Sequence, residues 1–579
     1  MKRNALLLSF FMLLLTACSV GSVRTESAAT GAADMVFTNG KVYTLDADNA
    51  WAEAVALSGK DIVYVGDAAG AADYTGDETE VIDLSGKMLL PGFVDVHAHP
   101  IVAGGIIMQG VDLQSDDVGE ILAKIRTYVE ANPDLEVIQG YGVRFNPWNN
   151  DWPNAAMLDE IESERPVVLW TIDGHGGWVN SKALEMAGIK KDTPDPAPGF
   201  SYFERDKEGN PTGWIIEVPA QLQTLGAIID VNFDYIGKGA RTWLQKFPAA
   251  GVTSIQDLGL GGLSEDEGFQ MFLDFEKAGE LSMRVQSSYY WNNGDVDPVP
   301  IFQKLRETYK SELFSVNYLK VNMDGGDDKH NALYIGGYSD KPEIEARPII
   351  PYDVINDAVQ RADALGIDAT CHCFGDLAVR KMLDALEMAI KANPIRDRRH
   401  YITHASLVHP DDRPRFAELG IGYDTTGSWM TMDPLMSNVT TARLGAERVA
   451  SAYPIKAIHD LGGRVTLGSD WPAAGYVSEY RPLMGIEAAV TRQLPGREHV
   501  PPLGGEEARL PLDVAIKVYT LSAAYTIGMD DLVGSIEVGK RADLVVLEKN
   551  LFDIDLYDIG DTAVQLTMMN GKVTHRDGI

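Results

Sequence analysis

The chain has 579 residues, of which 84 are acidic and 50 basic, giving a formal net charge of −34 at pH 7. This length is greater than a single small domain needs, and it is enough for a large barrel with accessory domains. The charge argues against nucleic acid or an anionic lipid surface as a partner of the main surface, because both would be repelled. The acidity fits either solubility or a salty medium, in which a dense negative surface is screened.

The first residues predict an export signal. A basic start precedes an apolar run from Ala5 to Leu15, which is short for a membrane span. The following stretch, Leu15 to Cys18, resembles the lipobox of bacterial lipoproteins. We therefore expect a signal peptide over 1–17 and a flexible tether over 18–33, with a lipid on Cys18. An ordinary signal peptide with an incidental cysteine is the alternative.

The expected location follows from this resemblance. Ser19, rather than an aspartate, comes after Cys18. In Gram-negative lipoproteins this favours the outer membrane, so we expect a protein that is lipid-anchored in the bacterial cell envelope and faces the periplasm. Contact with the membrane would then be made only through the N-terminal lipid.

Two Asn-Gly pairs lie near opposite ends of the chain. Asn39-Gly40 and Asn570-Gly571 each stand between short apolar runs, a pattern typical of β-hairpins. Other alternating segments surround them. The economical interpretation is one β-sandwich built from both chain ends, over 34–90 and 529–579, with a central domain inserted between them.

The central part alternates strand-like and helix-like segments, which predicts an α/β fold with a parallel sheet. Eight candidate strands suggest a (β/α)8 TIM-like barrel over 91–101 and 234–528. The connection over 102–233 is long and has strands of its own, so we predict an α/β insertion domain over the barrel mouth. The barrel candidates are Gly92–His97, Gly251–Gln256, Arg284–Tyr290, Asn317–Asn322, Ile367–His372, His400–His404, Ile421–Thr425 and Arg464–Gly468.

Two cysteines, Cys371 and Cys373, flank His372. On a strand, both would face away from whatever His372 faces. A disulfide between them would be strained, because strand neighbours two apart have nearly parallel Cβ vectors. We therefore predict two separate buried thiols.

Metal-ligating residue types collect at the ends of these strands, where barrel enzymes place their active sites. His97 and His99 share one strand face, a spacing that suits two ligands of one ion, although alone the pair is a weak signal. His372, His404 and Asp470 end other strands, and Lys320 lies on strand four. Singly, each could be a hydrogen-bonded core residue, or Lys320 could pair with Asp324. Their joint placement favours a metal site.

Several motifs carry a family resemblance. Gly92 to His99 is similar to the strand-one signature of the amidohydrolase superfamily, and Gly534 to Val545 resembles the return to its β-sandwich. Three further stretches resemble the amidohydrolase-3 branch, which contains YtcJ-like proteins and N-substituted formamide deformylases. The resemblance runs from about Asp34 to the C-terminus. These stretches are Asp173 to Leu184, Phe374-Gly375-Asp376 and Ser469 to Pro472.

The resemblance implies roles for the metal-ligating types. His97 and His99 would bind a first divalent ion, with zinc the first expectation, and His372 and His404 would bind a second. Lys320 would be a carboxylated bridge, and Asp470 a ligand and the catalytic acid/base. One or two ions both stay open.

Two stretches depart from the pattern of this branch. They are Thr403-His404-Ala405 and, on strand seven, Tyr423 to Thr426. We expect these departing positions to contact the substrate.

The insertion contributes further candidates. His175, flanked by glycines that allow close backbone approach to a ligand, is a second catalytic candidate, and Asn180 is a candidate for substrate binding. The alternative for both is a glycine-rich turn followed by an N-capped helix. Arg144, Trp148, Trp152 and Glu217 are weaker candidates for the pocket wall, where aromatics could equally be domain packing.

The predicted activity follows from the metal. We expect a hydrolase in which a metal-activated water cleaves an amide, formamide or cyclic amide carbon–nitrogen bond of a small molecule. A metal-dependent esterase or carbamate hydrolase is one alternative, and a lipid-anchored binding protein with a degenerate site is another. An oligomer is left open.

Overall fold

The computed structural model describes residues 31–106, 110–148, 153–229 and 233–579. The predicted export signal, Cys18, most of the tether and Trp152 lie outside these ranges. Within them, no helix combines the length and the apolar character that crossing a membrane requires.

The described ranges contain twenty-four strands, numbered here in chain order. They are β1 (Met35–Thr38), β2 (Lys41–Tyr43), β3 (Trp51–Ala52), β4 (Ala54–Ser58), β5 (Asp61–Gly66), β6 (Glu80–Asp83), β7 (Met88–Pro91), β8 (Phe93–Ala98), β9 (Val111–Asp112), β10 (Ile138–Val143), β11 (Val167–Thr171), β12 (Gly176–Val179), β13 (Tyr202–Arg205), β14 (Pro211–Ile216), β15 (Val252–Asp257), β16 (Arg284–Trp291), β17 (Phe314–Asn322), β18 (Asp368–Cys373), β19 (Tyr401–His404), β20 (Gly422–Thr426), β21 (Val465–Gly468), β22 (Leu544–Leu547), β23 (Val564–Met569) and β24 (Lys572–Arg576).

The α-helices of the same ranges are α1 (Ala68–Ala71), α2 (Pro100–Ile106), α3 (Val118–Ala131), α4 (Ala155–Asp159), α5 (Ser181–Met186), α6 (Val218–Gly226), α7 (Phe233–Ala249), α8 (Glu265–Lys277), α9 (Pro298–Thr308), α10 (Tyr352–Ala364), α11 (Asp376–Ala392), α12 (Arg413–Leu419), α13 (Thr441–Leu444), α14 (Ala446–Val449), α15 (Ile455–Asp460), α16 (Pro482–Thr491), α17 (Leu512–Val518) and α18 (Leu521–Thr526).

Eight parallel strands form the barrel. Their order is β8, then β15 to β21 in sequence, which confirms all eight predicted strands and the (β/α)8 fold. Closure joins the last strand to the first: Ala98 pairs with Trp471 just after β21, and the Asp470 amide donates to the His97 carbonyl oxygen at 2.6 Å. The carboxyl ends of β8 and β21 therefore lie side by side, and so do the residues that follow them.

The chain ends form two packed sheets. One sheet has the order β5-β4-β1-β6, and the other has the order β24-β23-β22-β7-β2-β3. In the second sheet, β22 from the C-terminal end pairs antiparallel with β7 from the N-terminal end. Apolar side chains of both ends, such as Phe37, Leu57 and Leu544, share one buried core. The sandwich is therefore built from both ends, as the sequence predicted.

Only one of the two Asn-Gly pairs forms a hairpin. Asn570 and Gly571 join β23 to β24, and both have a positive φ, of 53° and 71°, as a type I′ turn requires. The hairpin prediction is wrong for Asn39-Gly40, because β1 and β2 belong to different sheets. There the pair carries the chain from one sheet to the other, and a Cβ on Gly40 would collide with Leu84.

The insertion is a separate α/β unit with a six-stranded sheet in the order β13-β14-β12-β11-β10-β9. It has an apolar core of its own, which includes Leu169 and Trp178. The Tyr141 hydroxyl lies within hydrogen-bond distance of the carbonyl oxygens of Ile172 and Pro472, and the Ala474 amide donates to the Ile172 carbonyl oxygen at 2.9 Å. The insertion is thus tied to the loop after β21, at the end of the barrel that carries the candidate site.

The cysteine prediction is wrong. Cys371 and Cys373 form a disulfide, with Cα atoms 5.6 Å apart. That separation lies within the usual range for disulfides. Both side chains leave the same face of β18, opposite His372, so the two sulfur atoms are neighbours even though their Cβ vectors are nearly parallel.

Candidate metal centre

The barrel brings six sequence-predicted residues to one cavity. They come from the carboxyl ends of β8, β17, β18 and β19 and from the turn after β21. The cavity has a volume of about 750 Å³ and extends beneath the insertion domain, whose Trp170 and His175 line it too. The six residues are His97, His99, Lys320, His372, His404 and Asp470.

Three of them form a compact group. His97 Nε2 and His99 Nε2 lie 3.0 and 3.3 Å from the same oxygen, Asp470 Oδ1. The Gly259 carbonyl oxygen, 2.9 Å from His99 Nδ1, fixes that ring and leaves Nε2 turned inward. Ligand atoms of all three residues lie within 4.8 Å of one another, a spacing that one metal ion can bridge.

Buried polar atoms at this group lack partners. Neither ring nitrogen of His97 makes a well-directed hydrogen bond within the described residues, and the ring is almost fully buried. Asp424 Oδ2 lies 3.6 Å from His97 Nδ1 and is likewise unsatisfied. Buried polar groups without partners are uncommon and call for an explanation. A cation held by His97, His99 and Asp470 would satisfy His97 Nε2, the ring nitrogen that faces the other two ligands, whereas His97 Nδ1 faces Asp424. The donor set therefore fits a metal.

His372 and His404 stand next to this group. Their ring centroids are 4.2 Å apart, and the His404 ring stacks on Trp429. His404 Nδ1 lies 3.7 Å from Asp470 Oδ2, and His372 Nδ1 lies 3.3 Å from Asp324 Oδ1. Burial lowers the pKa of both histidines, so both rings are neutral near pH 7. Neutral imidazole is the form that binds metals.

Lys320 lies at the bottom of the cavity and is 1% exposed. Its Nζ donates to Thr403 Oγ1 at 2.9 Å. Burial lowers the pKa of Lys320 to about 7, although Asp470 and Asp424 act in the opposite direction. The alternative partner, Asp324, instead accepts hydrogen bonds from backbone amides after β17 and β18. A lysine in this setting is uncharged in a substantial fraction of molecules near pH 7.

The expectation that the departing positions contact substrate is wrong. Thr403 and Asp424 are completely buried inside the barrel, behind Lys320 and His97. The Tyr423 hydroxyl donates to the Ala405 carbonyl oxygen at 3.2 Å. Thr403 and Asp424 face the barrel interior, where they support Lys320 and His97. Tyr423, the neighbour of Asp424 on β20, points to the opposite face and packs on Phe416 of α12. None of the three lines the cavity.

His175 reaches the cavity from the insertion domain. Its ring centroid is 5.4 Å from that of His372, and its Nδ1 is 2.7 Å from Glu217 Oε2. Burial lowers the pKa of His175, but Glu217 and Asp173 outweigh it and raise the pKa to about 9. Burial raises the pKa of Glu217, and the opposing effect of His175 and Lys329 leaves it below its usual value. The pair is therefore a protonated imidazole beside a carboxylate.

The other substrate-binding candidates lie elsewhere. Asn180 caps α5, because its Oδ1 accepts from the amides of Ala183 and Val167 at 2.9 and 3.0 Å. Arg144 pairs with Asp116, and Trp148 packs on Trp178 with ring centroids 5.4 Å apart. None of the three lines the cavity in the described ranges. Their placement on the pocket wall is therefore corrected: Asn180 is a helix cap, and the other two stabilise the insertion.

Sequence reasoning missed two groups near the centre. Asp95 accepts hydrogen bonds from the amides of His97 and Ser469, and burial raises its pKa to about 6. It precedes His97 by two residues on β8, so strand alternation placed it on the same face as His97. Tyr290, near the carboxyl end of β16, lines the cavity and could have been found from its strand-end position.

Comparisons with known proteins agree with this architecture. The chain is 26% identical to N-substituted formamide deformylase from Arthrobacter pascens, covering 94% of this chain and 98% of the relative. It is 28% identical to the putative amidohydrolase YtcJ from Bacillus subtilis, covering 93% and 99%.

Solved structures share the fold. An uncharacterized metal-dependent hydrolase from Pyrococcus furiosus superposes with a TM-score of 0.66 at 23% identity, covering 89% of this chain and 99% of that one. An atrazine chlorohydrolase from Arthrobacter aurescens TC1, complexed with zinc, superposes with a TM-score of 0.53 at 15% identity, covering 93% and 94%.

A family model described as the amidohydrolase family matches residues 80–575. This range includes the whole barrel, the insertion and every candidate ligand described above. The match, the barrel and the histidine and aspartate group at its mouth lead to one assignment. The chain belongs to the amidohydrolase family.

Proposed function

We propose that this protein is a metal-dependent amidohydrolase that uses water to cleave an amide, formamide or cyclic amide carbon–nitrogen bond of a small molecule. The convergence of His97, His99 and Asp470, with an unsatisfied buried Nε2 on His97, carries the proposal. The name of the relative from Arthrobacter pascens, which acts on N-substituted formamides, supports the choice of bond.

His97, His99 and Asp470 would hold one divalent ion, with zinc as the first expectation, and His372 and His404 would hold a second. Lys320, carboxylated at Nζ, would bridge the two sites; its burial and lowered pKa support this, because only the uncharged amine reacts with carbon dioxide. When bound, a divalent ion lowers the pKa of its water from 15.7 towards about 7 and polarises the substrate carbonyl.

Asp470 would act as the base and then the acid. Its carboxylate is buried, which raises the pKa of Asp470, but the neighbouring histidines outweigh burial and hold it well below the usual value. The group is therefore ionised at neutral pH and can accept a proton from the attacking water. It would return that proton to the departing nitrogen, which must be protonated to leave as an amine.

His175 would bind the carbonyl oxygen. Its Nδ1 is engaged by Glu217, so the second ring nitrogen is the one directed at the cavity. A protonated imidazole can donate a charge-assisted hydrogen bond to the negative charge that develops on the carbonyl oxygen. Because His175 belongs to the insertion, the position of that domain would decide whether the donor is in place.

The test is metal reconstitution with a substrate panel. Purified protein would be stripped with a chelator, reloaded with zinc or manganese with and without bicarbonate, and assayed on matched amides, formamides and esters. We expect metal-dependent release of amine, with amides hydrolysed faster than the corresponding esters. Protein that takes up no metal and stays inactive after reloading would overturn the hydrolase proposal. Faster hydrolysis of the esters than of the matched amides would show that the preferred bond is an ester and not an amide.

We also propose that the protein is anchored in the cell envelope by a lipid on Cys18. The basic start, the apolar run and the small residues before Cys18 support this proposal. In this setting the barrel faces the periplasm, and small amides that enter that compartment would be its substrates.

A further inference from the structure

A second cavity opens directly onto the candidate metal centre. It encloses about 760 Å³ of empty space, part of which is open to solvent. Asp173, His175, His372, His404 and Asp470 line both cavities, so the two are continuous. A substrate whose scissile bond lies at the metal-ligating residues would therefore extend one of its groups into this side cavity.

The walls of the side cavity are apolar and aromatic. Phe374 and Trp429 lie together, with ring centroids 6.3 Å apart, and Tyr453 and Leu407 also line the cavity. Aromatic faces carry a negative quadrupole and attract cations. A ligand group that is both apolar and positively charged would gain from these rings.

Carboxylates add to this preference. Asp327, Asp328 and Asp433 line the side cavity, and no lysine or arginine of the described residues does. The protonated His175 also lines it, but its charge is paired with Glu217. Asp328 is already paired with Lys329, which it shares with Asp173. Asp327 and Asp433 form no ion pair with any described residue, although burial leaves them 3% and 4% exposed.

One of these carboxylates has an unsatisfied atom. Asp327 Oδ2 is buried and has no hydrogen-bond partner among the described residues. Thr440 is the polar side chain that acts most on Asp327, and Arg443, the cation that acts most on it, is already bound to Asp340. Leaving a buried carboxylate oxygen unpaired is costly, so a ligand that supplies a positive charge or a donor here would remove that cost.

The charge in the cavity is consistent with this preference. Burial raises the pKa of Asp433 to about 7 and, against the opposing effect of Lys329, that of Asp328 to about 7. Burial also raises the pKa of Asp327. A cation in the cavity would favour the ionised forms of these carboxyls, whereas an anion would disfavour them.

We infer that the side cavity is a subsite for an organic cation, an ammonium or guanidinium group on an apolar scaffold, with Asp327 as its determinant of specificity. The inference rests on the proposed function, because it names the class of amide that the centre would hydrolyse: amides that carry a positive charge away from the scissile bond. Amides with a free carboxylate would be poor substrates.

Binding tests the subsite without turnover. The zinc-loaded protein would be titrated by calorimetry with benzyltrimethylammonium, benzyl alcohol and benzylsulfonate, which are cationic, neutral and anionic. A quaternary ammonium cannot coordinate zinc, so its binding reports the cavity alone. We expect the cation to bind at least tenfold more tightly than the alcohol and the sulfonate not to bind. Equal affinities, or preference for the sulfonate, would overturn the inference.

The matched variants are Asp327→Asn and, as control, Asp411→Asn, whose side chain is 84% exposed. We expect Asp327→Asn to lose at least tenfold in affinity for the cation and to leave the affinity for the alcohol unchanged, with no change in Asp411→Asn. An unchanged cation preference in Asp327→Asn would show that Asp327 does not determine the specificity of the side cavity. If this variant does not fold, the titrations of the unmodified protein with the three ligands still test whether the side cavity prefers a cation.

Turnover separates the inference from the proposed function. The formamides of 4-(aminomethyl)benzylamine and of 4-methylbenzylamine differ in one positive charge. Hydrolysis of both, with kcat/KM at least tenfold higher for the charged one, supports the inference. Hydrolysis of both at equal rates overturns the inference alone. Selective cation binding with neither formamide hydrolysed overturns the proposed reaction and leaves the subsite.

Discussion

His175 Nδ1 lies 2.7 Å from Glu217 Oε2, within hydrogen-bond distance, although the two residues are 42 positions apart in the chain. Glu217 has a φ of +65° and directly precedes α6, and its other oxygen accepts from Asn331 Nδ2 at 2.7 Å. The carboxylate is therefore held from the insertion side and from the barrel side at once. It fixes both the ring position of His175 and its charge.

Replacing Glu217 by Gln should shift the alkaline limit of activity. Glu217 raises the pKa of His175 to about 9, so the ring is protonated below that pH and loses its proton above it. In Glu217→Gln the pKa should fall towards its usual value of about 6.5, and kcat/KM should decline from near neutral pH instead of near pH 9. The pH dependence of kcat/KM from 6 to 10 measures this shift. Glu185→Gln, on the exposed side of α5, is the control, and an unshifted limb would show that His175 does not act as a proton donor.

Replacing Asp470 by Asn should abolish turnover and leave metal partly bound. The amide can neither accept the proton of the attacking water nor deliver it to nitrogen, and general acid–base steps contribute about 10²- to 10⁴-fold. His97 and His99 remain to hold an ion. Activity assays with metal analysis of the same samples test this, and Asp531→Asn at an exposed position is the control. Activity within a few-fold of the unmodified protein would exclude Asp470 as acid/base.

Replacing Lys320 by Ala should lower the number of bound ions from two to one. The variant lacks the amine that carbon dioxide would modify, so the bridge between the two sites is lost. We expect activity to fall by at least a hundredfold and to become independent of bicarbonate, and a small carboxylate such as formate to restore part of it. Metal content and mass spectrometry of the intact protein are the measurements. Unchanged metal content relative to Lys391→Ala, an exposed position, would contradict the bridging role.

Replacing Glu487 by Gln should flatten the pH dependence of stability. Burial raises the pKa of Glu487 to about 7, and its Oε2 accepts from the Gly560 amide at 2.8 Å. The folded state therefore holds its proton more tightly than the unfolded state, whose pKa is about 4.3. Stability falls as pH rises between these values. The Tm of Glu487→Gln should fall less from pH 5 to pH 8 than that of the unmodified protein or of Glu447→Gln. Parallel Tm profiles would contradict this assignment.

Replacing Cys18 by Ser should release the protein from the membrane fraction. The thiol is the acceptor of the proposed lipid, and the main surface, with its negative charge, has no affinity for anionic lipid. Fractionation of cells that express the full chain measures the distribution, with Ser19→Ala as control. Retention of Cys18→Ser in the membrane fraction would count against lipidation.

The barrel could be predicted from sequence because each of its strands is a buried run between helical segments, and the order along the chain is also the order in space. The metal-ligating residues could be predicted as well, because the carboxyl ends of the strands of a barrel meet at one rim. Asn39-Gly40 could not be predicted correctly, because an Asn-Gly pair specifies a local turn but not which sheet receives each flanking strand.

Contacts between residues far apart in the chain were beyond the sequence as well. The partnership of His175 with Glu217 depends on how β14 folds back beside β12, and nothing local to either residue records it. For Asn180 the helix-cap alternative drawn from the sequence is correct, but its contacts with distant backbone groups could not be predicted; the side chain satisfies four backbone groups in all. Thr403 and Asp424 looked like substrate contacts because they differ from a family pattern, yet their neighbours are inside the barrel.

The pairing of β7 with β22 has a consequence for the growing chain. Until residues 544–547 exist, β7 has one unpaired edge, and the half-sheet of β7, β2 and β3 cannot be completed. An unpaired edge strand is a template for adventitious pairing, so the N-terminal strands depend on the last tenth of the chain for protection. A protein arranged in this way joins its two ends only after synthesis is finished.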